Sequence, residues 1–353
     1  MAFGGTLALA IAIFAFRDAL LSRENIRNLR EERRFLWAQK GDLEPGVSRA
    51  LDIQLDINFR ELGTEYIERL CMDIVMGFGT VMVGAGTFLA IGGANPRVYR
   101  ASNLLSGYIG NAPVALYGLV NAAFSAYVWR RAHRHGRAAK KEMLSSMFLR
   151  RVRRLKIHAT INAIGGVTAG AASLVTATNW EGYPVLIPCI VSSMVCNYMW
   201  RNRIGYERPL TQQQVEIDKT SLIAELEHIT STRKIFNTAD PTEWFSKIIP
   251  DPDSLLSVLA FFRTNDLFDD FCLHLLQNDT LPSSLFGRQD NKVTIDAQMF
   301  LEDKELYPQI INAAEEALRK TGPLRFKNRE RYFLEALGCY LCSSQPVEVG
   351  EKC

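Results

Sequence analysis

Two residue pairs in this chain of 353 have a spacing that chemistry can use. Asp270 and His274 stand four apart, so a helix would bring both to one ion or one proton. Two ligands are not a metal site, because zinc takes three or four protein donors. The pair reads as a solvated Asp–His contact. Cys339-x-x-Cys342 has the spacing of half a zinc or dithiol centre. No second such pair exists, no βαβ pattern surrounds it, and Cys71, Cys189, Cys196, Cys272 and Cys353 are scattered. Two helix cysteines near a membrane surface, chemically open to lipidation, are the plainer reading. With no nucleophile–base pair and no complete ligand set, the expectation is a non-enzyme without cofactor or resident metal.

The elements that would carry such residues are set by four stretches without Asp, Glu, Lys or Arg: Ile74–Pro96, Ala101–Trp129, Ile157–Trp180 and Gly182–Trp200. A bilayer core of about 30 Å needs roughly 20 helical residues. A single such run fits a buried soluble helix, but four in succession, each ended by charges or by Trp and Tyr, fit membrane spans at about 74–94, 112–130, 157–178 and 183–201. These spans form a four-helix membrane domain over 74–204.

Ionisable groups in spans are costly and usually functional. Here the runs hold only His158, with Asp73 and Glu181 at the edges. Uncharged polar groups lie deeper. Asn121, Asn162, Ser192 and Asn197 are the candidate lining of a path for a neutral polar solute, although helix-to-helix hydrogen bonding is the commoner use of such residues. Small residues supply packing faces. Gly79, Gly86 and Gly93 are seven apart, two helical turns, and Gly166-x-x-x-Gly170 continues a second stripe. Such stripes let backbones approach closely, within one chain or between copies.

Residues from Pro113 (PVALYGLVNAAFSAYVWR) match those from Pro184 (PVLIPCIVSSMVCNYMWR) at six of 18 ungapped positions, offset by 71. Duplication and convergence explain this equally well. Either way Tyr127, Trp129, Arg130, Tyr198, Trp200 and Arg201 are interface anchors, rings at headgroup level and guanidinium groups in the polar layer. Basic residues cluster before the first run (seven over Arg17–Lys40) and between the second and third (eleven over Arg130–Lys156). The other loops are poor in them, so both flanks face the cytosol- or matrix-like side. Arg130–Lys156 is also a candidate surface for anionic lipid headgroups.

The apolar residues 1–16 read as a fifth span or an anchor in one leaflet, with insertion favoured and one continuous helix expected from Thr6 to Lys40. The charged segment 17–73 contains Leu51–Arg60, which alternates apolar and polar strictly, a strand signal without a visible partner. Beyond 204 the charge changes sign: residues 1–204 carry a net +11 and 205–353 a net −8. This acidic part reads as helical: a face of Val215, Leu222, Leu226 and Ile229, starts at Asp240 and Asp253, an apolar face at Leu267, Phe268, Phe271 and Leu275, and helices over 309–320 and 323–341. Asn278-Asp279-Thr280 is the one glycosylation sequon, on the side where the topology forbids glycan.

The expected architecture is therefore all-α: a multi-pass bundle of four spans, with a fifth at the N-terminus, and a soluble helical domain over 205–353. The function expected is a non-enzymatic scaffold or assembly factor, self-associating or holding a soluble protein partner, in the endoplasmic reticulum or mitochondrial inner membrane. A channel or carrier is the alternative. No nucleic-acid partner is expected.

Overall fold

The computed structural model describes residues 2–40, 45–142, 146–176, 179–208, 217–277, 287–289, 292–294, 299–301 and 304–344. Val215, the Asn278 sequon and Cys353 lie outside them. The chain forms two compact units, Met1–Ile204 with Gly338–Cys353, and Gly205–Leu337.

In the first unit α1 (Ala2–Lys40) is one uninterrupted helix. Then come α2 (Pro45–Gly63), a π-helical stretch Thr64–Cys71 and α3 (Met72–Leu89). The short α4 (Pro96–Asn103), capped by Asn95, leads through a second π-helical stretch, Leu104–Ile109, to α5 (Ala112–Lys141). α6 (Ser146–Val175) returns, and α7 (Tyr183–Met199) ends in a third π-helical stretch, Trp200–Ile204. α1 lies along α3 and α2, α5 along α6, and α6 along α7. The matching segments at Pro113 and Pro184 each open a helix with Pro in the first turn, where its missing N–H costs nothing.

Among the described residues four helical stretches are long and apolar enough to cross a membrane: Gly5–Lys40, Arg49–Gly92, Pro96–Lys141 and Tyr183–Ile204. The N-terminal segment is thus among them, whereas the run expected at 157–178 is not. That run lies in α6, whose apolar half is largely Gly, Ala, Ser and Thr, residues that pack well but are weakly hydrophobic.

The strand expected at Leu51–Arg60 is a helix. Its alternation has a helical meaning. Positions two apart split into i, i+4 pairs on opposite faces, so Leu51 and Leu55 form one buried face and Ile53 and Ile57 the other. The first face meets Leu36 of α1, and Asn58 beside it donates to Leu29 O at 3.0 Å. A helix packed on two sides needs apolar residues on both.

The second unit has α8 (Lys219–Thr238), a 3-10 turn Pro241–Glu243, α9 (Trp244–Ile248), α10 (Leu255–Thr264) and α11 (Phe268–Leu276). A two-stranded antiparallel ribbon follows, β1 (Gly287–Gln289) paired with β2 (Lys292–Thr294), an addition to the all-helical expectation. α12 (Tyr307–Ser344) fuses the two helices expected at 309–320 and 323–341, with Pro323 inside it. The carboxylate of Asp240 caps its turn through Thr242 N at 3.0 Å. The residue preceding α10 is Ser254, so Asp253 stands one position outside the expected cap. Leu222, Ile229, Val258, Phe262, Phe271 and Phe326 are fully buried and give this unit a core of its own.

Candidate functional site

The helix seams position the polar residues. In α3 the glycines work in two sets. A Cβ on Gly77 would lie 3.0 Å from the Phe16 ring of α1, and one on Gly84 3.2 Å from Gly5 O. On another face a Cβ on Gly79 would lie 3.1 Å from Gly110 O, and one on Gly86 2.7 Å from Ser106 Cβ. The Ser102 hydroxyl donates to Gly86 O at 2.7 Å across that second seam. Gly93 is placed elsewhere: it follows the last turn of the helix, and its nearest neighbour is Ala90 O, so it packs no helix pair. Between α5 and α6 a Cβ on Gly118 would lie 2.3 Å from Gly166 O, and one on Gly170 2.9 Å from Ala115 Cα. The next glycine in α5 is Gly136, 18 residues on, so no glycine pair one turn apart marks Gly118 in the sequence.

This close crossing brings Asn121 and Ser125 of α5 against Asn162 of α6. Asn162 Nδ2 lies 3.4 Å from Asn121 Oδ1, 3.2 Å from Ser125 Oγ and 3.4 Å from Glu68 Oε1. An amide has two hydrogens to donate, so three acceptors share them. Asn121 and Ser125 are buried, and Asn162 and Glu68 half-buried. The knot lies within the apolar part of α6, since Asn162 is six residues past Lys156, ~9 Å at 1.5 Å per residue.

Glu68 escapes the sequence reading because Arg69 and Asp73 close the apolar run after it. The signal that would find it is continuity. Helical structure runs unbroken from Pro45 to Leu89, and the π-helical turn Thr64–Cys71, a geometry enriched at functional positions, turns Glu68 to Asn162 while Glu65 pairs with Arg69 at 2.8 Å. The other two lining candidates are not part of this knot. Ser192 is half-buried and Asn197 exposed on α7, which lies against α6 at the edge of the unit.

A second polar centre lies at the basic end of α5. Arg131, 5 % exposed, reaches Asp56 Oδ2 at 2.8 Å and Asp56 O at 3.2 Å on α2. It also reaches Tyr127 OH at 3.4 Å and Cys339 Sγ at 3.1 Å. His135 Nε2 is 3.9 Å from the same sulfur. Arg49 holds the end of α12, donating to Tyr340 O at 3.3 Å with its guanidinium 4.4 Å over the Tyr340 ring. Cys339 and Cys342 are thus free thiols in a docked helix end, Cys339 buried and Cys342 half-buried. Among the described residues no group of three His, Cys, Asp or Glu could hold a metal ion.

The anchor residues divide. Trp129, Arg130, Tyr198 and Arg201 are exposed. Tyr127 turns inward against Phe59 and Phe124, and Trp200 lies 5.2 Å from the buried His158 ring. In the second unit Asp270 and His274 have separate partners. Asp270 takes a bidentate pair from Arg325 at 2.5 and 2.9 Å, and His274 lies 3.2 Å from Glu316. The one-turn spacing therefore builds no shared site.

Comparison with known proteins finds no matching family model, no matching curated protein and no matching solved structure.

Proposed function

We propose that the protein is a multi-pass integral membrane scaffold that performs no chemistry and holds its acidic helical unit at the membrane surface for a soluble partner. The observation that carries this reading is the double attachment of that unit. The chain leaves the first unit after Ile204 and rejoins it at Gly338, where Arg131 and Arg49 hold Cys339 and Tyr340. The strongest polar groups of the first unit are committed to one another and to that docking, which suits a holder better than a catalyst. The glycine seams of α3, α5 and α6 are filled by neighbours in the same chain, which supports a holder that does not require a second copy.

Basic residues at Arg17–Lys40, Arg130–Lys156 and Arg201–Arg203 favour a cytosol- or matrix-like side for the acidic unit, in the endoplasmic reticulum or mitochondrial inner membrane. Crosslinking in isolated membranes tests the reading. A partner bound through residues 205–337 should be captured on wild type and lost when Gly170→Leu opens the α5–α6 seam. The channel alternative is tested in liposomes, where solute flux abolished by Asn121→Leu and by Ser192→Leu, with folding intact, would overturn the scaffold.

A further inference from the structure

On the outer face of α5 an open groove of about 440 Å³ is lined by Ala126, Trp129, Arg130, His133, Arg134 and Arg137. We propose that this groove binds an anionic phospholipid, with the phosphate among the arginines and the acyl chains running down the same helix face.

Three observations support this. Arg130, Arg134 and Arg137 are exposed and spaced four and three apart, so their guanidinium groups line one edge of the helix with the fork geometry that suits phosphate oxygens. The floor is built rather than incidental. The Trp129 and His133 rings stack at 5.1 Å and 6°, and Lys156 from α6 lies 4.7 Å over Trp129 and 3.4 Å from His133 Nδ1. An ammonium can only donate, so Nδ1 accepts and a neutral imidazole keeps its proton on Nε2, a further donor.

The third observation selects a lipid over a free anion. Below Ala126 the face continues through Ala123, Leu119 and Leu116, with Leu119 58 % and Leu116 65 % exposed. Cations above a tryptophan, with an open apolar stripe beneath, match a molecule that is charged at one end and hydrocarbon at the other. This inference requires the membrane reading but not the scaffold role. Its assay contains no soluble partner, so either can fail alone.

The test uses the full-length protein in detergent, titrated with fluorescent phosphatidylglycerol and, separately, phosphatidylcholine. Wild type should prefer phosphatidylglycerol. Arg130→Gln and Arg134→Gln should each weaken its binding about fivefold, and Ala126→Trp, which fills the groove without changing charge, should weaken it comparably. Arg153→Gln, a charge-matched change at an exposed α6 position, should leave it unchanged. The proposal is overturned if that control loses as much as the groove variants, since diffuse charge then suffices. Wild-type binding by a folded Ala126→Trp overturns it too. Displacement by inorganic phosphate as effective as by unlabelled phosphatidylglycerol would assign the groove to a free anion instead.

Discussion

Burial, and after it the neighbouring Asp269 carboxylate, push the Cys272 thiol up to about 12. A thiol raised this far stays protonated until the pH approaches that value, so at pH 8 its thiolate fraction is ~10⁻⁴. Iodoacetamide at pH 8 should therefore leave Cys272 unmodified in the native protein and alkylate it once denaturant is added, as peptide mass spectrometry would show. Arg325 poses a different problem. Its bonds to Asp270 raise its pKa and fix the guanidinium in the bidentate geometry. Arg325→Met leaves Asp270, 16 % exposed, without that pair, a loss of about 2 kcal/mol for hydrogen bonds to a charged group. Amide exchange in α11 and α12 should then accelerate on the order of thirtyfold if those helices open together; an unchanged rate would show that the pair contributes nothing. At this scale the sequence exposes spacing and conceals partners. Asp270 and His274 are visibly one turn apart, but Arg325 lies 55 residues away, and only the fold brings it to Asp270.

At the scale of elements, what is legible depends on whether a pattern belongs to one face or two. Gly166-x-x-x-Gly170 advertises a seam because both glycines lie on one stripe. Gly118, opposite them, has no second glycine within a turn of it, yet it has the least room. An added Cβ there would meet backbone at 2.3 Å, against 3.3 Å at Gly166 and nothing within 4 Å at Gly165. Backbone cannot yield as a side-chain tip can, so substitution by Ala should rank accordingly. Gly118→Ala should lose about 1–3 kcal/mol through overpacking, Gly166→Ala less. Gly165→Ala should hold or gain up to ~1 kcal/mol from helix propensity. Thermal unfolding in detergent reads the order, and equal losses at 118 and 165 would refute the seam. The same distinction explains α2. Ten alternating residues look like a strand when only one buried face is imagined, and become a helix once Leu51/Leu55 and Ile53/Ile57 are each given a neighbour.

For the whole molecule, the change from net +11 to net −8 falls at the border after Ile204 where the second unit begins. The return of Gly338–Ser344 to the first unit leaves no trace in composition, because it rests on Arg131 and Cys339, 208 residues apart. Sidedness turns on α6, the expected span that is not among the stretches long and apolar enough to cross a membrane. Its uncharged part, 157–175, is ~28 Å long at 1.5 Å per residue, close to a bilayer core of about 30 Å. Parity then decides. If α6 and α7 both cross, Lys140 and Asp240 share a side, and Arg97, one crossing before α5, faces the other. If α6 stays on the surface, α7 alone separates Lys140 from Asp240. All three positions are exposed. Single cysteines there, on a background with the native cysteines replaced, can be labelled in sealed vesicles with an impermeant maleimide. Lys140→Cys and Asp240→Cys should react together while Arg97→Cys is protected, or the reverse in inverted vesicles. Opposite behaviour of 140 and 240 would remove α6 from the membrane. The Glu68–Asn121–Ser125–Asn162 knot would then lose its place within the bilayer, because α6 supplies the amide that joins it.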